Sequence, residues 1–135
     1  MTENKLPVLC LLGPTASGKT GLAVALRERY GIDIISVDSA LVYKRMDIGT
    51  AKPDAETLRI APHALINMIE PWESYSVSRF IDDVTHEIMT SVNVGRLPVL
   101  VGGTMLYFNA LWNGLSSLPP SQPAVREKLQ LQAVR

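Results

Sequence analysis

An eight-residue stretch near the start of the chain has the spacing of a phosphate-binding loop. The segment "GPTASGKT" fits the pattern Gly-x-x-x-x-Gly-Lys-Ser/Thr and consists of Gly13, Pro14, Thr15, Ala16, Ser17, Gly18, Lys19 and Thr20. Its glycines let several backbone N–H groups point at one anion, the lysine brings a full positive charge, and the threonine hydroxyl can join a Mg²⁺ shell. An ordinary glycine-rich turn is the alternative. The loop alone does not say whose phosphate it holds.

Two further polar side chains follow apolar runs and are candidates for chemistry. Asp38 follows "IDIISV" and can hold Mg²⁺, orient a nucleophile or act as a general base. Its alternative role is to cap the segment that follows. Thr104 follows "LPVLVGG" and can donate a hydrogen bond to a phosphate oxygen. Its alternative role is to cap the next helix, which does not exclude phosphate binding.

The end of the run "LPVLV" is informative because it lacks an acidic residue. A P-loop ATPase of the motor type has a carboxylate for Mg²⁺ at this point, whereas this chain has Gly102, Gly103 and Thr104. We interpret the two glycines as allowing close approach of an anion. The pattern disfavours a motor ATPase and leaves small-molecule kinases and non-kinase users of a diphosphate open.

The hydrophobic pattern predicts the elements that must position these groups. Short apolar runs predict buried strands at residues 7–12, 32–38, 63–69 and 96–102. Apolar periodicity and capping residues predict helices at residues 18–30, 54–62, 76–93, 104–112 and 123–135, with an irregular functional loop at 40–53 and a turn-rich link at 116–123. Strands and helices alternate, which is typical of an α/β fold with a parallel sheet. Ligands of such folds lie at the carboxyl ends of the strands, where the candidate residues fall.

Composition excludes several other classes of protein. The 135 residues include 13 basic and 13 acidic side chains, so no strong positive field marks a nucleic-acid binder. A polynucleotide would have to be held by specific groups or by sequence outside this chain. Cys10 is the single cysteine and cannot form an internal disulfide, and its apolar surroundings predict a buried thiol. No run approaches the ~20 apolar residues of a membrane span, so we expect a cytoplasmic protein without membrane contact.

Other ionisable residues give weaker signals. His63 and His86 lack partners at metal-binding spacing, and we interpret both as structural or exposed. Lys44, Arg45 and Lys52 lie in the predicted loop beside the site. They either meet a polyanion or are simply solvated.

Three blocks together, "GPTASGKT", "SVDSALVYKRMDIGTAKP" and "LPVLVGGTMLYF", closely resemble the amino-terminal half of bacterial tRNA dimethylallyltransferases, also called tRNA isopentenyltransferases. The later segment "GLSSLPPSQPAVREKL" is similar to the same family. The resemblance implies a P-loop-containing three-layer α/β fold with a parallel sheet, present here incompletely because family members are much longer. Residues 1–135 would form the amino-terminal part of the prenyltransferase core, and residues 115–135 would begin a helical region that the chain end cuts.

The same resemblance implies an activity, a cofactor and partners. The family transfers a dimethylallyl group from dimethylallyl diphosphate to N6 of an adenine next to the tRNA anticodon. It implies Mg²⁺ as cofactor, the anticodon stem-loop of tRNA as partner, and a monomer for full-length members.

Matching positions carry the family's site residues to this chain. Residues 15–20 would bind the diphosphate with Thr20 on Mg²⁺, Asp38 would accept the N6 proton, and Thr104 would hold the departing diphosphate. The tRNA contacts would be Asp38, Ser39, Ala40, Leu41, Thr104 and Arg126.

Some features leave alternatives open. Arg45 stands where close relatives usually have glycine. With the strand order usual for nucleotide kinases, the first strand would lie at a sheet edge, and we expect the 135-residue chain alone to be marginally stable or to self-associate. The alternative functions are an ATP-dependent small-molecule kinase, with Asp38 as base toward a hydroxyl, and a non-catalytic fragment that retains the diphosphate loop.

Overall fold

Strands and helices alternate along the chain in the computed structural model, which describes residues 5–117 and 122–133. Part of the predicted link at 116–123 and the end of the last predicted helix lie outside the described residues. In chain order the elements are β1 (Leu9–Leu12), α1 (Lys19–Tyr30), β2 (Asp33–Val37), α2 (Ala55–Ile60), β3 (His63–Ala64), α3 (Val77–Asn93), β4 (Pro98–Gly102), α4 (Met105–Asn113) and α5 (Pro123–Ala133).

The described strands form one parallel sheet in the order β1-β4-β2-β3. The predicted parallel α/β class is therefore confirmed. Strand β4 lies between β1 and β2, with Leu9 opposite Val99 and Asp33 opposite Pro98. Strand β1 is an edge of the described sheet, and its Leu9 and Leu12 side chains are 40% and 41% exposed.

The third strand is much shorter than the predicted run at 63–69. Only His63 and Ala64 pair with β2, opposite Ile34 and Ile35. Leu65 and Asn67 then adopt positive φ angles of 64° and 57°, which interrupt an extended strand. Pairing resumes as a single parallel bridge between Tyr43 and Ile69, so the chain after β2 and the chain after β3 remain neighbours there.

Alternating side chains of the sheet pack into two apolar layers, which produces the predicted three-layer arrangement. One face packs against α3 and α4, with Phe80, Val84 and Phe108 fully buried. The other face packs against α1 through Ala23 and includes Ile34 and Val99. Because both faces are covered, β2 and β4 are almost continuously apolar, as their sequences indicated.

Local signals fix several helix ends. The side chain of Ser76 accepts a hydrogen bond from the backbone N–H of Arg79 and begins α3, while Asp54 does the same for α2 through Thr57. Helix α1 ends at Gly31, whose φ is 64°. No residue of α5 is buried. No helix in the described part of the chain combines the length and apolar composition needed to cross a membrane.

Candidate functional site

A cavity of about 800 Å³ opens at the carboxyl ends of the strands. Its lining brings together predicted residues from three separate parts of the chain: Pro14, Thr15, Ala16, Ser17, Gly18, Lys19, Thr20, Asp38, Ser39, Leu41 and Thr104. Gly13 and Ala40 do not line it, although each is adjacent in sequence to residues that do. Arg126 lies on the exposed helix α5 and does not line the cavity either.

The loop between β1 and α1 has a backbone that only some residues adopt easily. Gly18 precedes α1 with a φ of 88°, a left-handed conformation that favours glycine. At Gly13 an added Cβ would lie 3.0 Å from Oγ of Ser17, so the serine side chain would have to shift. Ala16 also has a positive φ, 62°, at a cost that a glycine would avoid. The sequence pattern does not reveal this strained alanine.

Lys19 closes the loop on itself. Its Nζ donates hydrogen bonds to the backbone oxygens of Gly13 and Pro14, at 2.6 and 2.5 Å, and to Oγ of Ser17 at 3.2 Å. The ammonium is thus fixed beside the N-terminus of α1, where the helix dipole also favours an anion. This arrangement concentrates positive potential at one end of the cavity.

Asp38 has one oxygen committed to the backbone. Its Oδ1 accepts hydrogen bonds from the N–H groups of Ala40 at 2.7 Å and Leu41 at 3.2 Å. The capping role considered from the sequence is therefore present. Within the described residues, Oδ2 has no hydrogen-bond donor, so the carboxylate is held in place with one oxygen available. A fixed carboxylate with a free oxygen suits a general base.

Thr104 occupies the N-cap position of α4, but its side chain does not cap that helix. Its Oγ1 instead accepts a hydrogen bond from the backbone N–H of Ser39 at 3.0 Å. The threonine therefore ties the segment after β2 to the segment after β4. Because the hydroxyl oxygen is used as an acceptor, its proton remains available to donate to an anion in the cavity.

In the structure, glycine is required at position 102 for a different reason from the one that its sequence context suggested. We expected the glycine pair to allow close approach of an anion. A Cβ on Gly102 would instead overlap the carbonyl oxygen of Val37 and lie 2.6 Å from its carbonyl carbon. Gly103 is constrained by the phosphate-binding loop, since its Cβ would lie 3.0 Å from the carbonyl oxygen of Gly13. The pair permits close packing of β4, β2 and the loop, and so builds the cavity's floor.

The cations of the loop after Asp38 have different environments. Arg45 and Lys44 both form ion pairs with Glu70, at 3.1 and 3.3 Å, at the surface. Arg45 has a φ of 63°, which explains why glycine suits this position. Lys52, in contrast, has a side chain that is only 3% exposed and pairs with Asp47. No periodic pattern in the sequence distinguishes Lys52 as buried.

His63 lines the cavity, although its sequence context indicated no functional partner. Its Nδ1 lies 2.7 Å from the carbonyl oxygen of Ala61, and since a carbonyl only accepts, Nδ1 carries the proton. Nε2 is then an acceptor; it is buried without a hydrogen-bond partner among the described residues. Desolvation by burial lowers the pKa of His63, the bond to Ala61 opposes this, and the nearby charge of Arg27 lowers it further.

The lowered pKa of His63 predicts a loss of stability in mild acid. Below the ordinary histidine pKa of about 6.5, the unfolded chain binds a proton that the folded chain resists, so the free energy of unfolding falls as pH drops. We expect His63→Gln to remove this part of the pH dependence. Urea unfolding of both proteins at pH 7.5 and 5.5 measures it, with the exposed His86→Gln as control. Parallel losses in wild type and His63→Gln would contradict the prediction.

The parallel sheet, the loop between β1 and α1, and the polar groups at the strand ends define a P-loop α/β protein. Comparison with protein families identifies which family of P-loop proteins the chain belongs to. A family model described as IPP transferase matches residues 41–135, and one described as isopentenyl transferase matches residues 6–66. The chain belongs to the IPP transferase family.

Solved structures of the same kind are similar over nearly the whole chain. The full-length tRNA isopentenylpyrophosphate transferase of Bacillus halodurans is 41% identical over 96% of this chain, with a TM-score of 0.79. The tRNA delta(2)-isopentenylpyrophosphate transferase of Staphylococcus epidermidis is 36% identical over 95% of it, with a TM-score of 0.73. A eukaryotic dimethylallyltransferase acting on tRNA is 27% identical over 89% of it, with a TM-score of 0.78. The chain spans 43%, 42% and 31% of these three proteins.

Proposed function

We propose that this chain forms the donor-binding and catalytic part of a tRNA prenyltransferase. The reaction is transfer of a dimethylallyl group from dimethylallyl diphosphate to N6 of an adenine next to the anticodon. The proposal rests on one observation: the phosphate-binding loop, Asp38 and Thr104 all line the same cavity, in a chain that belongs to the IPP transferase family. The solved relatives, a tRNA isopentenylpyrophosphate transferase and a dimethylallyltransferase acting on tRNA, support the same reaction class.

The donor's diphosphate would occupy the loop end of the cavity. Residues 15–20 line that end, where Lys19, backbone N–H groups and the N-terminus of α1 favour phosphate oxygens. Thr20 also lines the cavity and is the residue that would contribute an oxygen to Mg²⁺. Within the described residues no three His, Cys, Asp or Glu side chains form a metal cage. That fits Mg²⁺, which takes few protein ligands, and which when bound would neutralise charge on the diphosphate.

Asp38 would accept the proton in the transfer step. The N6 lone pair attacks C1 of the prenyl group, the C1–O bond breaks, and the diphosphate leaves with that bond's electron pair. The N6 proton passes to Oδ2 of Asp38, which the two N–H bonds to Oδ1 hold in one orientation. The hydroxyl of Thr104 donates to the leaving diphosphate, whose charge grows as the bond breaks.

The tRNA would approach along the segment after β2. Asp38, Ser39, Leu41 and Thr104 face the cavity, and Ala40 contributes its backbone to the turn that fixes Asp38. The adenine would leave its stack to reach the cavity, which costs least in a single-stranded loop. Arg126 on α5 would contact tRNA away from the cavity. With equal numbers of basic and acidic residues, this chain offers specific contacts rather than a strong field.

Calorimetric titration with Mg²⁺ present tests the proposal against a kinase. We expect dimethylallyl diphosphate to bind the chain at least about tenfold more tightly than ATP, a difference of about 1.4 kcal/mol. A preference for ATP would contradict the proposal and favour phosphoryl transfer with Asp38 as base toward a hydroxyl. Incubation of the donor-bound chain with an anticodon stem-loop RNA then tests transfer. Donor binding without transfer would show that this chain alone is a non-catalytic fragment.

A further inference from the structure

Lys52 is a buried lysine whose three ammonium protons all have acceptors. Its Nζ donates to the backbone oxygen of Tyr43 at 2.8 Å, to Oδ1 of Asn67 at 2.7 Å and to Oδ1 of Asp47 at 2.9 Å. The side chain is 3% exposed, although lysine is rarely buried without a specific reason. The three acceptors belong to separate points of the chain, so the ammonium cross-links the loop after β2 to the segment after β3.

The residues that flank Lys52 form one wall of the cavity. Thr50, Ala51 and Pro53 all line it, whereas Lys52 does not and its ammonium bonds Asn67. Ala51 has a φ of 55°, which a non-glycine residue keeps only when its surroundings enforce it. The hydroxyl of Thr50 donates to the backbone oxygen of Met46 and adds a second restraint. The position of the wall therefore depends on bonds made behind it.

The wall differs chemically from the loop that would hold phosphate. Ala51 and Pro53 line the cavity and have side chains that consist only of carbon and hydrogen, and Leu41 and Val101 are further apolar residues of its lining. Neither Ala51 nor Pro53 has a charged group or a polar side-chain atom, and the hydroxyl of Thr50 is bonded to the backbone oxygen of Met46. Such a surface suits the hydrocarbon part of a ligand whose diphosphate lies at Lys19.

We infer that Lys52 is a positioning residue for donor specificity, because it holds the wall at 50–53 against the hydrocarbon group of the diphosphate. This inference rests on the proposed function. Lys52 does not line the cavity, and its ammonium bonds Tyr43, Asp47 and Asn67, so it makes no direct contact with a diphosphate at Lys19. Its loss loosens the wall and removes packing against the hydrocarbon while the phosphate loop is unchanged.

Two variants separate this role from a general effect on folding. Lys52→Met keeps most of the side-chain volume and removes all three donors. Asn67→Gly removes one acceptor and suits the positive φ of 57° at that position, so it guards against a Lys52→Met protein that does not fold. Val84→Ala is the control, since it destabilises the core between α3 and the sheet without touching the loop. The measurements are melting temperature and calorimetric affinity, with Mg²⁺, for inorganic pyrophosphate and dimethylallyl diphosphate.

The ratio of the two affinities is the deciding quantity. We expect Lys52→Met to weaken dimethylallyl diphosphate binding about tenfold while pyrophosphate affinity stays within about twofold. Asn67→Gly changes the ratio in the same direction by less, and Val84→Ala lowers the melting temperature at an unchanged ratio. An unchanged ratio in the folded loop variants, or equal loss of both ligands, overturns the inference. A wild-type preference for ATP would instead overturn the proposed function itself, and this inference with it.

Discussion

Replacement of Lys19 with alanine is expected to weaken Mg²⁺-dependent binding of dimethylallyl diphosphate by at least about 100-fold, or about 2.7 kcal/mol. A hydrogen bond to a charged group contributes about 1.5–3 kcal/mol, and the ammonium would exchange at least one of its three bonds to the loop for a bond to a phosphate oxygen. The variant also loses the three bonds that hold the loop closed through Gly13, Pro14 and Ser17. Both losses act in the same direction on affinity.

Calorimetry on the purified proteins measures this effect, and two further variants interpret it. Lys128→Ala removes the same side chain from the exposed helix α5 and should bind the donor like wild type. Lys19→Arg keeps the charge but not the compact ammonium that reaches the carbonyls of Gly13 and Pro14, so we expect intermediate affinity. Equal melting temperatures for the Lys19 variants and wild type would show that the loss is local. An affinity of Lys19→Ala within about threefold of wild type would mean that the loop does not hold the donor's diphosphate.

The elements could be predicted from the sequence where a local pattern determines them. The phosphate-binding loop, the capping residues Ser76 and Asp54, and the apolar runs of β2 and β4 all lie within windows of about ten residues. The family resemblance depended on the same kind of contiguous blocks. Asp38 and Thr104 line the same cavity because parallel strands share one carboxyl edge, a rule that needs only the strand order.

What the sequence did not reveal depends on contacts between distant residues. The burial of Lys52 depends on Tyr43 and Asn67, which approach it only after Leu65 and Asn67 turn the chain out of β3. The cavity-lining position of His63 likewise follows from the short pairing of β3 with β2. A hydrophobic pattern predicts that a strand exists, but it does not show where positive φ angles end the pairing. The position of the cavity wall at 50–53 could therefore not be predicted from the sequence pattern.

Substitution of Gly102 has the largest expected effect on stability. The cause is again a contact between residues that are distant in the sequence. Gly102→Ala should lower the free energy of unfolding by about 3 kcal/mol or more, which is a large share of the roughly 5–15 kcal/mol typical of a domain. The added Cβ would overlap the carbonyl oxygen of Val37, and a backbone group of a paired strand cannot swing aside as a side chain can. Strands β2 and β4 would have to separate at their carboxyl ends. Urea unfolding followed by circular dichroism measures the change.

The same substitution elsewhere separates steric overlap from the general effect of replacing glycine. Gly21→Ala, within α1, meets no atom within 4 Å and should raise the free energy of unfolding by about 0.5–1 kcal/mol through better helix propensity. Opposite signs for these two variants would locate the cost at the contact between Gly102 and Val37. A Gly102→Ala protein as stable as wild type would mean that β2 and β4 pack less closely. Because Asp38 follows Val37 and Thr104 follows Gly103, any separation there should also weaken donor binding in molecules that remain folded.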